Sequence, residues 1–265
     1  MKKIFRAILC CVSVALLSAC GVQIQMQTLK PAAIDLGRGA ALSVRDCSHT
    51  RESRPLAEAF RLQIAQDGFY AQAHGKARLE LHNVYLENPP PPHRHDKHKD
   101  DKKSRPLPRL HAVVTVMNNG YQLYRRDYTE SVWVDSKGHI QLRDACESFA
   151  EEIMDDLTPR QVTYCEYISP DDSNPALEQA ARACSVGNWV QGRLLVQNAL
   201  RQNPNCAEAF YLLGLISRNE RDFSTSDNYF YRANALCPES KYASALRDND
   251  RLQQDEARAG RQMRE

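Results

Sequence analysis

The sequence is poor in the features that many enzyme classes need. It has only 11 glycines among 265 residues, and it contains no glycine-rich motif of the kind that cradles phosphate. It also lacks the GxSxG motif of hydrolases and the HExxH motif of zinc proteases. We therefore expect a protein that is not an enzyme and that needs no cofactor.

The sequence also has little net charge. It carries 35 basic and 33 acidic side chains, and three of the basic ones are Lys2, Lys3 and Arg6. Without these three, the rest of the chain has 32 basic against 33 acidic side chains. A protein that binds nucleic acid needs a basic face to contact the phosphates, so we expect no nucleic-acid partner.

Long apolar runs are missing, apart from one near the start. Ala7 to Ala19 is an almost unbroken apolar run of thirteen residues that follows the basic residues at positions 2, 3 and 6. Because a bilayer core is about 30 Å thick, this run is too short to span it. A basic start followed by a short apolar run is typical of a secretory signal, and we assign residues 1–19 to one.

The signal ends in Leu17-Ser18-Ala19-Cys20. An ordinary signal-peptidase site has small residues at −3 and −1, whereas Leu17 stands at −3. The four residues resemble the lipobox of bacterial lipoproteins, which implies that Cys20 carries fatty-acyl groups such as palmitate and anchors the mature chain to a membrane. Since Gly21 rather than aspartate follows, the resemblance implies the outer membrane. We expect the chain to face the periplasm, although the sequence does not determine the facing. The alternative is a soluble secreted protein.

The mature chain is long enough for two modest domains. Residues 20–40 are predicted to be the lipidated tether and a first strand, since Val22, Ile24 and Met26 alternate with glutamines. The next domain is expected over residues 41–168 and the last over residues 169–265.

Residues 41–168 are predicted to form an α/β domain. Leu56, Phe60 and Ile64 recur at four-residue steps and share one face of a helix. Asn118-Asn119-Gly120 is a strong hairpin signal between two strands, and an apolar stripe from Cys146 to Leu157 predicts a second helix. With strands near 41–45 and 77–86, the order is β-α-β-β-β-α, which favours an α+β sandwich. Residues 161–168 are predicted to be a final edge strand.

This pattern resembles the small periplasmic α/β domain shared by the curli-secretion lipoprotein CsgG, the penicillin-binding-protein activator lipoproteins and the TolB N-terminal domain. The resemblance covers about residues 30–160. It depends on a strand ending in Val44-Arg45, a helix ending in Asp67-Gly68-Phe69, and the long hairpin. It implies a component or regulator of an envelope machine and transfers no residue roles.

Residues 88–108 are rich in proline, histidine and lysine. Such a composition cannot bury apolar surface, so we expect a mobile, solvated loop. His93, His95 and His98 are weak candidates for a divalent transition metal, because imidazole suits copper, nickel or zinc.

From residue 173 the sequence repeats at an interval of 34 residues. The paired positions are Trp189 with Phe223, Gly192 with Ser226, Val196 with Phe230, Ala199 with Ala233, and Pro204 with Pro238. Together with Phe210-x-x-Leu213-Gly214, this register resembles the tetratricopeptide repeat, which implies an array of helical hairpins. A solvating cap helix is predicted from Tyr242 to about Arg258.

Tetratricopeptide arrays bind peptides or helices along a groove formed by the first helix of each repeat. The resemblance places five residues of this chain in that groove: Tyr211, Leu215, Arg218 and Asn219, with Asn249 on the cap helix. The other interpretation is that Tyr211 and Leu215 only pack on the cap helix.

Nine cysteines are present, and six of them remain beyond Cys20. An even number in an exported chain predicts disulfides, although six cysteines allow fifteen pairings. Antiparallel helices would bring together the ends that carry Cys206 and Cys237, so this bridge is the first choice. Cys165 with Cys184, and Cys47 with Cys146, are the remaining pairs.

The leading hypothesis is a non-catalytic, lipid-anchored adaptor that binds an unknown protein or peptide through its helical repeats. The alternatives are an envelope-machine component that acts through the α/β domain and a metal-binding lipoprotein that acts through the histidine loop. The sequence does not determine the oligomeric state.

Overall fold

The computed structural model describes residues 21–88, 107–136, 139–169 and 174–264. Cys20 and the three loop histidines His93, His95 and His98 lie outside the described residues. Over these ranges the fold is α+β, with two sheets and seven helices, which confirms the predicted class. None of the helices in these ranges is long and apolar enough to cross a bilayer.

The strands are β1 (Val22–Lys30), β2 (Leu42–Asp46), β3 (Ala77–Glu87), β4 (Arg109–Asn118), β5 (Tyr121–Ser131) and β6 (Arg160–Ile168). The helices are α1 (Ser53–Asp67), α2 (Leu142–Leu157), α3 (Pro175–Ser185), α4 (Trp189–Gln202), α5 (Ala207–Asn219), α6 (Phe223–Leu236) and α7 (Ser240–Gln262).

The chain divides into two compact units, and the division differs from the predicted boundary at residue 168. Among the described residues, the helical unit contains residues 21–28 and those of Gln161–Asp255. The sheet unit contains the described residues of Leu29–Arg160 and residues 256–264. The predicted edge strand β6 therefore belongs with the helices, because it pairs with β1 and not with the larger sheet.

The sheet unit is built on a four-stranded sheet in the order β2-β3-β4-β5. Strands β2 and β3 run parallel, and the other neighbours are antiparallel. Asn119 and Gly120 both have positive φ, as a two-residue hairpin turn between β4 and β5 requires. One face of the sheet packs on α1 and α2, where Phe60 and Phe149 meet edge to face. The opposite face carries polar side chains such as Glu80 and His82.

The helical unit contains the small β1–β6 sheet and the helices α3 to α6, with most of α7. The side chain of Gln23 reaches Cys165, and that of Gln161 reaches Gln27, so the two strands run antiparallel. Helices α4 and α6 begin and end 34 residues apart. Ile24 and Met26 of β1 are fully buried in the same core as the helices.

Candidate functional site

The predicted groove residues lie mostly inside the helical unit. Tyr211, Leu215, Arg218 and Asn249 are each at most 3% exposed, and Asn219 is half-buried. All residues of α5 from Ala209 to Arg218 are buried. These four side chains are closed to a separate partner, so the predicted partner groove is corrected: Tyr211 and Arg218 contact the chain's own β6, α6 and α7 instead. Tyr211 also packs on Tyr242 of the predicted cap helix, as the other interpretation expected.

Arg218 shows how this interior is held together. Its Nη1 atom lies 3.0 Å from Glu166 Oε1 on β6, and its Nε donates to Asn249 Oδ1 on α7 at 2.9 Å. Its Nη2 donates to the carbonyl oxygen of Ala245 at 2.7 Å, and the guanidinium lies 4.7 Å from the Phe230 ring centroid. One buried cation thus joins a strand and three helices of the helical unit.

The polar side chains next to Arg218 also have hydrogen-bond partners. Asn249 donates through Nδ2 to the Phe223 carbonyl at 2.9 Å and to Asp227 Oδ1 at 2.8 Å. The Tyr211 hydroxyl donates to Glu166 Oε2 at 3.2 Å. Burial, together with the charge of Glu166, raises the pKa of Tyr211 well above its usual range. Because the partners of these groups lie within the unit, the cluster stabilises the fold.

The amino-acid pattern of α5 already carried a signal of this burial. Its residues from Phe210 to Ile216 are apolar around most of the helix circumference. A helix that is hydrophobic all round is typical of a buried helix, whereas a groove helix keeps one polar face. The repeat register marks the inner face of α5, but it carries no information about Glu166, which lies 52 residues before Arg218 in the sequence.

The structure keeps Cys47, Cys146, Cys165, Cys184, Cys206 and Cys237 as free thiols. The predicted Cys206–Cys237 bridge is therefore not formed. Cys237 is exposed at the end of α6, and its thiol donates to Glu239 Oε1 at 3.4 Å in the following turn.

The two remaining predicted cysteine pairs are also absent. Burial raises the pKa of the Cys146 and Cys184 thiols to about 12, so both are unreactive core residues. Cys47 lies beside Glu80 and His82 on the polar side of the sheet, whereas Cys146 lies in the core beneath the other face. Cys165 is exposed, whereas Cys184 is buried beside Gly192.

One group within the described ranges can hold a metal ion: Cys47, Glu80 and His82. Their ligand atoms all lie within 4.8 Å of one another, and the three residues are half-buried. Burial and the nearby carboxylate of Glu80 raise the pKa of the Cys47 thiol. No sequence pattern marks this group, because its members do not follow a metal-binding spacing along the chain.

The helical unit also has an exposed apolar stripe, defined as the side chains of Val186, Val190 and Leu194. Their exposed fractions are 81%, 74% and 52%. Val186 lies in the turn before α4, and the other two lie one turn apart on α4 itself. Val196 of the same helix is fully buried, so α4 has apolar side chains both inside and outside the core.

The sequence matches no protein-family model and no curated protein. Among solved structures it is similar to a dodecamer of a PelC point variant from Paraburkholderia phytofirmans, with 15% sequence identity and a TM-score of 0.31. The match covers 51% of this chain and 96% of that chain. A score this low supports no argument about fold or function.

Proposed function

We propose that the mature chain is a lipid-anchored protein of the bacterial outer membrane that faces the periplasm and binds a protein partner without catalysis. The support for the anchor is the resemblance of Leu17-Ser18-Ala19-Cys20 to a lipobox. Acylation at Cys20 would hold the chain at the membrane and leave its folded units free to meet a partner.

The support for partner binding begins with the architecture of the helical unit. We interpret α3 to α6 as two tetratricopeptide-like repeats. The second helices, α4 and α6, have the same length and the same 34-residue offset. They share side-chain N-caps at Asn188 and Asp222, and Pro204 and Pro238 follow each of them at the same distance. Arrays of this kind bind proteins or peptides.

The observation that carries the proposal is the exposed apolar stripe of Val186, Val190 and Leu194. Since the chain's own segments cover the first-helix positions, a partner would bind the outer surface of the unit. Exposed apolar side chains that form one patch are typical of a protein-interaction surface, and Val190 and Leu194 lie one turn apart on the same helix. The proposed partner is an envelope protein that offers a complementary apolar surface.

The test is crosslinking in the native envelope followed by mass spectrometry. The double variant Val190→Lys/Leu194→Lys should lose the crosslinked partner and keep the melting temperature of the parent, because both positions are solvent-facing. The matched control is Tyr231→Lys on α6, which is also an exposed apolar residue and should keep the partner. Equal capture by the double variant and the parent would exclude the stripe as the binding surface.

A second candidate function is that of an envelope-machine component acting through the sheet unit, and one observation favours it. Strand β5 is at one end of the four-stranded sheet, with Tyr121 and Leu123 exposed. An edge strand can pair with a strand of another chain. Under this alternative, Leu123→Lys would abolish crosslinking while the α4 double variant retained it.

A further inference from the structure

Two neighbouring parallel strands bring three metal-ligating side chains together. The pairing of β2 with β3 places Arg45 opposite Glu80 and Asp46 opposite Leu81. The backbone N–H of Cys47 donates to the Leu81 carbonyl at 3.0 Å and extends this ladder by one residue. Glu80 and His82 are two positions apart on β3, so they share the face opposite to the core. Strand register, and not a flexible loop, therefore sets their spacing.

The distances between these side chains are close to those of a zinc site. His82 Nε2 lies 3.5 Å from Glu80 Oε2, and all three ligand atoms lie within 4.8 Å of one another. Tetrahedral zinc, with Zn–S near 2.3 Å and Zn–N or Zn–O near 2.0–2.1 Å, separates its ligand atoms by roughly 3.3–3.6 Å. Shifts of about 1 Å in the ligand atoms would bring them to these separations.

The surrounding residues orient this group. Arg45 Nη1 and Arg78 Nε lie 3.7 Å and 3.5 Å from Glu80 Oε1, whereas the other carboxylate oxygen lies near His82. The buried Thr115 hydroxyl lies 3.3 Å from His82 Nε2. Zinc bound at Nε2 would replace this hydrogen bond, whereas zinc bound at Nδ1 would keep it as a contact that orients the ring. Partners that fix the direction of ligating side chains are typical of metal sites.

The backbone of β3 is irregular directly after His82. Asn83, directly after His82, has a φ of 49°, and the β3–β4 ladder is interrupted between His82 and Tyr85. Such bulges redirect side chains and are frequent next to functional sites.

The segment after Cys47 is tied to this bulge. Ser48 Oγ accepts a hydrogen bond from the Val84 N–H at 2.8 Å, and Thr50 Oγ1 donates to the Val84 carbonyl at 2.9 Å. Asp46 Oδ1 accepts from the N–H of Ser48 at 3.0 Å. Cys47 is thus held between the end of β2 and a turn that is bonded to the bulge of β3.

We propose that Cys47, Glu80 and His82 form a zinc-binding site with an open fourth position. Thiolate, imidazole and carboxylate are all zinc ligands, and three protein ligands with an open position leave room for water or a group from another molecule. The site goes beyond the proposed adaptor function and does not depend on it. The competing interpretation is an ion-pair cluster in which Arg45 and Arg78 alone neutralise Glu80.

The test uses the purified mature chain with its thiols reduced. Calorimetric titration with Zn²⁺ should give one equivalent at this site, and Co²⁺ should give a thiolate-to-cobalt charge-transfer absorption. Cys47→Ser and His82→Gln should each weaken zinc binding by at least about 10–100-fold, the range found when only a supporting residue is removed. Cys47→Ser should also abolish the cobalt–thiolate band, and Glu80→Gln should weaken binding in the same direction.

Two controls match these changes in chemistry. His111→Gln removes a half-buried histidine of the same sheet face that already contacts Glu87 and Thr129. Cys237→Ser removes an exposed thiol elsewhere in the chain. Both should bind zinc as the parent does. Zinc affinity within about twofold of the parent in both Cys47→Ser and His82→Gln would overturn the proposal.

A version without residues 89–105 separates this site from the histidine loop. It should keep both the zinc equivalent and the cobalt–thiolate band. If it loses all zinc binding while Cys47→Ser retains it, the metal binds His93, His95 and His98 and the proposal is wrong. Unchanged melting temperatures in the absence of metal show that each variant is folded.

Discussion

Arg218 is the most consequential single side chain of the helical unit. It is 1% exposed and contacts Glu166, Asn249 and the Ala245 carbonyl. A buried cation is tolerated only when its charge and its N–H groups are paired. Its contacts with β6 and α7 meet this condition, so its role is to hold these elements against α5.

Arg218→Met should lower the free energy of unfolding by about 3 kcal/mol, the lower end of the range for breaking a buried ion pair. We expect the lower end because Glu166 keeps a side-chain exposure of 21% and can be partly hydrated. Urea denaturation of the variant and the parent measures this difference.

The matched control is Arg182→Met, which breaks the exposed Arg182–Glu178 pair on α3 and should cost only about 0.3–0.5 kcal/mol. Adding Glu166→Gln to Arg218→Met should restore part of the loss, because the unpaired carboxylate is then removed. Equal stability of Arg218→Met and Arg182→Met would contradict the structural role.

The sequence pattern marks Tyr211 and Arg218 but leaves two interpretations of Tyr211, a partner groove and packing on the cap helix. The structure agrees with the second, since the rings of Tyr211 and Tyr242 lie 5.4 Å apart. The repeat register marks the inner face of α5, since it reports helix phase. The same register places Asn249 of the cap helix beside this face, but no local pattern connects Glu166 of β6 to α5. The same limit applies to Cys47, Glu80 and His82, which are brought together only by the pairing of β2 with β3.

At the scale of elements, the hairpin and the helices with strong local signals could be predicted from the sequence. Asn119-Gly120 supports a two-residue turn whatever surrounds it, because both residues accept positive φ. Strand β6 was expected at the edge of the larger sheet. Its partner is β1, more than 130 residues earlier in sequence, and alternation of side chains reports a strand without identifying its neighbour.

The N-caps of α4 and α6 follow the same 34-residue interval as the sequence repeat. Asn188 Oδ1 accepts from the Gln191 N–H at 3.2 Å, and Asp222, 34 residues later, accepts from Thr225 N–H at 3.1 Å. Asn188→Ala should therefore lower the free energy of unfolding by about 1 kcal/mol, since a helix N–H loses its acceptor.

Thermal denaturation measures this loss. Asn188→Asp is the matched control and should remain near the parent, because aspartate caps a helix as well as asparagine does. If Asn188→Ala and Asn188→Asp both have the melting temperature of the parent, the cap does not contribute to the stability of α4.

At the scale of the whole chain, the helical unit depends on strands that are distant in sequence. Ile24, Met26 and Ile168 lie in the same buried cluster as Leu177 and Leu213. A fragment of residues 169–265 matches the predicted domain but lacks both strands. It exposes the apolar surface that these strands cover and leaves Arg218 without Glu166.

We therefore expect the fragment of residues 161–265 to melt at a higher temperature than the fragment of residues 169–265, because β6 restores the ion pair and Ile168 covers apolar surface. Both should melt below the mature chain, since neither contains β1. Circular dichroism during heating measures all three. Glu166→Gln in the longer fragment is the control and should remove part of its advantage. Identical melting temperatures of the two fragments would mean that β6 does not stabilise the helices. The helices would then form a domain without β6, and Arg218 and Tyr211 would be open to a partner in that domain.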